Sequence, residues 1–211
     1  MNNILNEGGY SKDIILKSRD DIQNIIKKLC NNGSNKKFLD IGGAGNPRPE
    51  LSGDCEYNIM DIKKIKTPYN LIIGDICSCP EIINDTYDIV FCMNLFEHVT
   101  EPWNAAKEMV RITKPEGIII CIAPFSWRYH PCPIDYYRFS HTALKFLFER
   151  TNLIKETILN CYDIKLRRKD HRGAKIKLYD NLDINNDVPP IDNLGGWREN
   201  WQSVWIGKKT Y

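Results

Sequence analysis

A glycine-rich turn that directly follows a short apolar run constrains the fold more than any other feature of the chain. The run reads FLDI at residues 38–41, and the turn reads GGAG at residues 42–45. Two further strand-like runs end in a carboxylate, at Asp61 and at Asp75. Ligands of open α/β sheets bind outside the carboxyl ends of the strands, where glycine permits close approach and carboxylates accept hydrogen bonds. The pattern predicts a pocket for a nucleoside-type ligand.

Apolar strand-like runs alternate with helical patterns along most of the chain. Strands are predicted at residues 37–41, 56–60, 70–74, 87–92, 117–123 and 201–208, and helices at 11–30, 101–113 and 141–150. This alternation predicts an α/β fold with a mostly parallel, Rossmann-like sheet. The connections at 47–55 and 63–69 are short and contain proline, so we expect the first two crossover helices to be stunted.

The length of 211 residues fits one domain with a small elaboration. We predict an N-terminal helical cap over residues 1–35 and a single domain over residues 36–211. Within that domain, residues 163–196 hold a basic run and an Asn/Asp-rich stretch, which are typical of an insertion. The tryptophans at positions 197, 201 and 205 could form an interface in a homo-oligomer.

Composition narrows the class of partner. The net charge of +2 gives no global indication of nucleic acid or membrane binding, and no apolar run is long enough to span a membrane. The polar N-terminus shows no signal peptide. The eight cysteines are scattered without a CxxC pair, so we expect reduced thiols, a cytoplasmic protein and no metal site.

The basic run at residues 165–177 is expected to be a solvated face. The alternative is a surface that binds an anionic substrate, such as a nucleotide-linked sugar or a phosphorylated glycan. RNA is disfavoured because no aromatic stacking platform is interleaved with the basic residues.

Taken in order, these motifs resemble the class I S-adenosylmethionine-dependent methyltransferases over about residues 36–160 and the last strand. The turn at residues 42–45 stands where that family has its first motif, and residues 111–117 resemble its turn before the fifth strand. Residues 87–99, which end in Glu-His-Val, are similar to its fourth strand and following loop. Residues 124–140 resemble small-molecule methyltransferases that are often linked to bacterial surface-polysaccharide tailoring.

The resemblance implies S-adenosylmethionine as cofactor, S-adenosylhomocysteine as product and an antiparallel last strand. The implied cofactor contacts are Asp40, Gly42, Gly43, Gly45, Asp61, Ile62, Asp75, Ile76 and Asn94. Asp61 stands where the family binds ribose, and Asp75 with Ile76 stands where it binds adenine. The alternative for both acids is turn capping, and Asp40 is expected to shape the loop more than to touch the ligand.

On the acceptor side, methyl transfer to a hydroxyl benefits from a general base. We expect His130, in a proline-rich loop, to be this base. His98 is the second candidate, with helix capping as its alternative, and Asp135 would orient the base or replace it.

Three neighbours of Asp135 are candidate substrate contacts, namely Tyr136, Tyr137 and Arg138. Arg138 could bind a phosphate or a carboxylate in a bidentate manner. The alternative is an ion pair between Asp135 and Arg138, with at least one structural tyrosine.

The predicted reaction is O-methylation of a small polar acceptor. A sugar, a nucleotide-sugar, a phosphorylated or phosphoramidate capsule precursor and a quinone all fit this scaffold. N-methylation and a catalytically silent binding module are the alternatives. A nicotinamide-dependent oxidoreductase is disfavoured, because Pro47 and Pro49 interrupt the helix that a dinucleotide motif requires.

Overall fold

The computed structural model describes residues 15–16, 19–31, 35–127, 129–131, 134–165 and 200–211. The elements in chain order are β1 (Ile15–Leu16), α1 (Arg19–Cys30), β2 (Lys37–Ile41), β3 (Glu56–Asp61), β4 (Asn70–Ile73), β5 (Tyr87–Met93), α2 (Pro102–Ile112), β6 (Thr113–Ser126), α3 (His141–Glu149), β7 (Ile154–Lys165) and β8 (Asn200–Lys209). Two single-turn 3-10 helices, Pro49–Leu51 and Phe96–His98, lie after β2 and β5.

The strands form one sheet in the order β1-β7-β8-β6-β5-β2-β3-β4. Strand β8 runs antiparallel to both of its neighbours, β6 and β7. All other pairings in the described sheet are parallel. The predicted Rossmann-like α/β fold, with a mostly parallel sheet and an antiparallel last strand, is confirmed.

The register of the parallel strands brings the predicted ligand-binding segments to one edge. Ile41 at the end of β2 lies opposite Met60 of β3 and Cys92 of β5. Asp61 at the end of β3 lies opposite Ile73 of β4. The glycine-rich turn and the segments after β3, β4 and β5 therefore leave the sheet side by side.

The stunted early crossovers are also confirmed. Only the 3-10 helix Pro49–Leu51 lies between β2 and β3, and residues 62–69 between β3 and β4 contain no helix. Proline fixes its own φ and lacks a backbone N–H, and prolines occupy both connections. No α-helix follows the glycine turn directly, as a dinucleotide site would require.

Two parts of the predicted secondary structure were wrong. The helix predicted from residue 11 begins at Arg19, because residues 15 and 16 instead pair with Tyr162 and Asp163 as an edge strand. Strand β7 was not predicted at all. Its register shifts twice, between Ile154 and Glu156 and between Thr157 and Leu159, which interrupts the period of two that identifies a strand.

Strand β7 also takes in the first residues of the predicted insertion. The remainder of that insertion, from residue 166, lies outside the described residues, as do most of the basic run and Trp197.

The apolar core lies on both faces of the sheet. One layer packs under α2 and α3, and the other packs under α1. In the first layer Trp205 of β8 stacks on Phe148 of α3, with ring centroids 4.3 Å apart and an interplanar angle of 1°. Trp205 is fully buried, so the expectation that it contributes to an oligomer interface was wrong.

The described residues also bear on the cysteines and on possible membrane spans. Seven of the eight cysteines fall in the described part, and all seven are free thiols. None of the helices described here has the length and hydropathy needed to span a bilayer.

The stacked pair in the core leads to a stability prediction. Phe148→Ala should lower the free energy of unfolding by about 3–5 kcal/mol, because it leaves a cavity beside Trp205. Phe146 lies on the same helix but is 64% exposed, so Phe146→Ala should change that free energy by less than about 0.5 kcal/mol. Urea denaturation of both variants measures the difference, and equal losses would contradict this account of the core.

Candidate functional site

The glycine-rich turn packs directly against the segment that follows β5. Gly42 adopts a φ of +75°, which favours glycine, and its N–H donates to the carbonyl of Met60 at 2.8 Å. A Cβ placed on Gly42 would lie 3.2 Å from the side chain of Leu95. The turn therefore fits between β3 and the chain after β5.

Asp40 lies buried beneath this turn. Its Oδ2 accepts a hydrogen bond from the Tyr57 hydroxyl at 2.6 Å, and its Oδ1 lies 3.6 Å from the Arg48 guanidinium. Burial raises the pKa of Asp40 to about 6, although the Tyr57 hydrogen bond and Arg48 act to lower it. A Cβ on Gly43 would lie 2.5 Å from the Asp40 carboxyl. This position lets Asp40 shape the loop, and its contact with a cofactor stays a prediction.

Asp61 and Asp75 each cap a turn at the edge of the sheet. Asp61 Oδ1 accepts a hydrogen bond from the Lys63 N–H at 3.0 Å, and Asp75 Oδ1 accepts one from the Cys77 N–H at 2.9 Å. Asp61 is half-buried and Asp75 is exposed, so capping leaves both side chains accessible to a ligand. Of the two apolar residues predicted beside them, Ile62 is 62% exposed and Ile76 is buried.

Asn94 joins the end of β5 to the last strand. It adopts a φ of +56°, and its Oδ1 accepts a hydrogen bond from Gln202 Nε2 at 2.7 Å. Its N–H donates to the Ile122 carbonyl of β6. Asn94 therefore lies at the predicted edge, with its side-chain oxygen directed to β8.

Two histidines and one glutamate meet beside this edge. Glu97 and His98 belong to the 3-10 helix after β5, and His130 comes from the loop after β6. Glu97 Oε1 lies 3.6 Å from His98 Nε2 and 3.8 Å from His130 Nε2. The two imidazole centroids are 5.0 Å apart with an interplanar angle of 80°. We call these three residues the Glu-His-His cluster.

Glu97 is the most unusual member of the cluster. Its side chain is 1% exposed, and neither carboxylate oxygen accepts a hydrogen bond within the described part of the chain. Burial raises the pKa of Glu97 to about 7, against the opposing effects of its own backbone N–H, His98 and Arg138. Buried polar groups in folded proteins almost always have a partner, so this carboxylate calls for a functional explanation.

Both imidazoles are oriented through their Nδ1 atoms. His98 Nδ1 lies 2.7 Å from the carbonyl of Ile134, and His130 Nδ1 lies 3.2 Å from Asp135 Oδ2. A carbonyl and an ionised carboxylate only accept hydrogen bonds, so in neutral rings each Nδ1 carries the proton. Both Nε2 lone pairs then face the Glu97 carboxylate. Helix capping by His98 was wrong, since α2 begins at Pro102 without a side-chain cap.

Asp135 is held by Arg138. The guanidinium donates to both carboxylate oxygens, at 2.5 and 2.7 Å, and its Nε donates to the Trp127 carbonyl at 2.9 Å. Burial acts to raise the pKa of Asp135, but the hydrogen bonds from Arg138 and from the His130 N–H lower it overall. The ion-pair alternative is therefore the one that forms, and Arg138 is a support for Asp135 more than a substrate contact.

The two tyrosines before Arg138 differ in environment. The Tyr137 hydroxyl donates to the Thr100 carbonyl at 3.1 Å, and its ring packs on the core. Tyr136 is 44% exposed. One tyrosine is structural, as expected, and Tyr136 is the one that remains available for a substrate.

Sequence reasoning named His130 and His98 as alternative bases and Asp135 as the group that orients or replaces the base. The structure brings the two histidines together around Glu97, which was not among the predicted site residues. The Glu-His pair immediately after β5 was visible in the sequence. The burial of Glu97 was not, because it depends on the loop from β6 folding back over the end of β5.

Comparison with known proteins gives a family match over part of the chain. Residues 46–121 match a family described as a methyltransferase domain. An uncharacterized methyltransferase of Mycobacterium leprae is 43% identical over 37 residues, which are 18% of this chain and 14% of that relative. The chain thus matches only a small part of the length of this curated relative.

Solved structures extend the likeness to nearly the whole chain. The YcgJ protein of Bacillus subtilis has a TM-score of 0.63 at 14% identity, covering 91% of this chain and 99% of that one. Phosphoethanolamine N-methyltransferase 2 of Haemonchus contortus, solved with S-adenosylhomocysteine, has a TM-score of 0.59 at 12% identity, covering 92% and 53%. At these identities the likeness shows the fold. Together with the family match, it supports an S-adenosylmethionine-dependent methyltransferase.

The packing of the turn over Asp40 can be tested with two glycines. Gly43→Ala should lower the free energy of unfolding by about 1–3 kcal/mol, because its methyl group would displace the buried Asp40 carboxyl. No atom lies within 4 Å of a Cβ at Gly45, whose φ is not positive, so Gly45→Ala should raise that free energy by about 0.4–1 kcal/mol. Urea denaturation distinguishes the two signs, and equal destabilisation would refute the packing argument.

Proposed function

We propose that this chain transfers the methyl group of S-adenosylmethionine to an oxygen atom of a small polar acceptor. The observation that carries the proposal is the single sheet edge at which the glycine turn, Asp61 and Asp75 meet beside the Glu-His-His cluster. The proposed ligand site and the proposed proton-accepting site are thereby adjacent in a chain whose residues 46–121 match a methyltransferase domain.

The residues at the edge suit the cofactor. No atom lies within 4 Å of a Cβ placed on Gly45, so the space beside this glycine is open to a ligand. Asp61 would accept hydrogen bonds from the ribose hydroxyls, and Asp75 would accept one from the adenine amine. Ile62, exposed next to Asp61, offers an apolar surface to the adenine ring. When bound, the cofactor supplies a methyl group that its sulfonium has already activated.

The protein then has two tasks. It aligns the acceptor with the methyl group, and it receives the proton of the acceptor hydroxyl. We assign the second task to His130 Nε2, with His98 as the second candidate. Asp135 keeps the proton of His130 on Nδ1 and would stabilise the imidazolium that forms, while Arg138 holds Asp135 in place.

The acceptor is proposed to be a sugar, a nucleotide-sugar or a phosphorylated or phosphoramidate capsule precursor. Support comes from the polar loop around the exposed Tyr136 and from the basic sequence after β7. The Haemonchus enzyme was solved with phosphomonomethylethanolamine, which is a small phosphate-bearing molecule. Because that relative is an N-methyltransferase, N-methylation is the second candidate reaction.

Cofactor binding can be tested directly. In calorimetric titration the protein should bind S-adenosylhomocysteine but not NAD. Asp61→Asn should weaken that binding about 10- to 100-fold, since it removes a charged hydrogen-bond acceptor from the ribose. Asp54→Asn is the matched control. Asp54 is exposed and lies just before β3 begins, whereas Asp61 lies where β3 ends. Absence of binding would point to the silent-module alternative.

The proposed role of His130 as general base can be tested by substitution. His130→Gln should lower turnover by about 10²- to 10⁴-fold, the usual contribution of a general base, with little change in S-adenosylhomocysteine affinity. Product release can be followed with an acceptor found by screening nucleotide-sugars and phosphorylated compounds. His141→Gln is the control, since His141 packs on Tyr162 and belongs to no part of the cluster. Undiminished turnover in the His130 variant would remove it from the mechanism.

A further inference from the structure

The Glu-His-His cluster has the composition and the spacing of a metal site. One ligand atom from each of Glu97, His98 and His130 lies within 4.8 Å of the other two. We propose that these three residues bind a divalent transition-metal ion of the Zn²⁺ type. Cysteine spacing alone predicts no metal site, but none of these three residues is a cysteine.

The two distances from Glu97 are close to those of a zinc site. In a tetrahedral zinc site with bonds of about 2.0–2.1 Å, neighbouring ligand atoms lie about 3.3–3.4 Å apart. Glu97 Oε1 is 3.6 Å from His98 Nε2 and 3.8 Å from His130 Nε2. The two imidazole ligand atoms lie within 4.8 Å of each other, so binding one ion would draw the three side chains together. Two imidazoles and one carboxylate are also a ligand set used by catalytic zinc and by non-haem iron sites.

The partners of the imidazoles match those of metal-binding histidines. Such histidines donate the ring N–H that does not face the metal to a carbonyl or a carboxylate. His98 does so to the Ile134 carbonyl at 2.7 Å, and His130 Nδ1 lies 3.2 Å from Asp135 Oδ2. Arg138 in turn fixes Asp135. Both Nε2 lone pairs are therefore held toward the same point.

The buried carboxylate is an independent observation that points to a cation. Glu97 is 1% exposed, and no other described residue donates a hydrogen bond of ordinary geometry to either of its oxygens. A buried charge is normally paired or bound to a metal. The histidine side chains are 12% and 33% exposed, so the cluster is reached from solvent on the imidazole side, where an acceptor could complete the coordination.

A metal here would change how the acceptor is activated, and this part of the inference rests on the proposed function. An ion held by Glu97, His98 and His130 would make a coordinated acceptor hydroxyl more acidic. The proton would pass to water, because both imidazoles would then be ligands. The oxygen would attack the methyl group, with the C–O bond forming as the C–S bond breaks and the electron pair staying on sulfur, and His130 would act as a ligand instead of a base.

Metal binding can be measured without any acceptor. The full-length protein, freed of metal with a chelator, should bind one equivalent of Co²⁺ with the weak visible bands of nitrogen and oxygen ligands. Glu97→Gln, which keeps the side-chain shape, and His130→Asn should each weaken Co²⁺ binding at least about tenfold. His141→Gln should leave it unchanged. Absence of binding, unchanged binding in both cluster variants, or an intense thiolate charge-transfer band would overturn the inference.

A parallel titration with S-adenosylhomocysteine separates this inference from the proposed function. Cofactor binding without Co²⁺ binding would overturn the metal site alone. Co²⁺ binding that depends on Glu97, in a protein that does not bind S-adenosylhomocysteine, would support the metal site while overturning the methyltransferase proposal.

Discussion

The candidate site depends on hydrogen bonds that attach one loop to the backbone of Glu97. The N–H groups of Tyr136 and Tyr137 donate to the Glu97 carbonyl at 2.7 and 3.3 Å. The Ile134 carbonyl meets His98 in the same region. The loop after β6 is thereby fixed over the end of β5, and it brings His130 and Asp135 with it. This attachment places the His130 ring beside His98 and Glu97.

Two buried carboxylates lie on either side of the glycine turn, and they are satisfied in different ways. Asp40 receives a hydrogen bond from Tyr57 and lies near Arg48, which makes it part of the support beneath the turn. Glu97 receives no comparable hydrogen bond from the described residues. Because unpaired buried charge is destabilising, a residue such as Glu97 is more readily explained by a bound group than by a contribution to folding.

The sequence predicted most of the fold because the strands that form the ligand edge are short and regular. The apolar runs predicted as strands at 37–41, 56–60 and 70–74 match β2, β3 and β4 to within one residue. Strand β7 escaped prediction because its bulges break the alternation. Trp205 was misassigned because stacking on Phe148 is a contact between distant parts of the chain, which no local pattern reveals.

The difference between local sequence patterns and contacts made by distant parts of the chain also applies to the candidate site. Residue types at strand ends, such as Asp61 and Asp75, can be read locally because parallel strands must end at a common edge. Glu97 could not be identified in this way, because its importance lies in its burial. Arg138 was given a substrate contact because a guanidinium commonly binds anions, yet a carboxylate three residues earlier already occupies it.

The charges around the cluster fit both ways of activating an acceptor beside a cationic sulfonium. With neutral imidazoles, ionised Glu97 and Asp135 outweigh Arg138 by one negative charge. When the acceptor hydroxyl passes its proton to His130, the sum that includes the acceptor oxyanion stays at one negative charge. With a divalent ion and a bound acceptor oxyanion, the sum is zero. In neither case does the site carry net positive charge beside the methyl donor, which like charges would oppose. The buried glutamate thus makes the same electrostatic contribution whether it faces a protonated histidine or a metal ion.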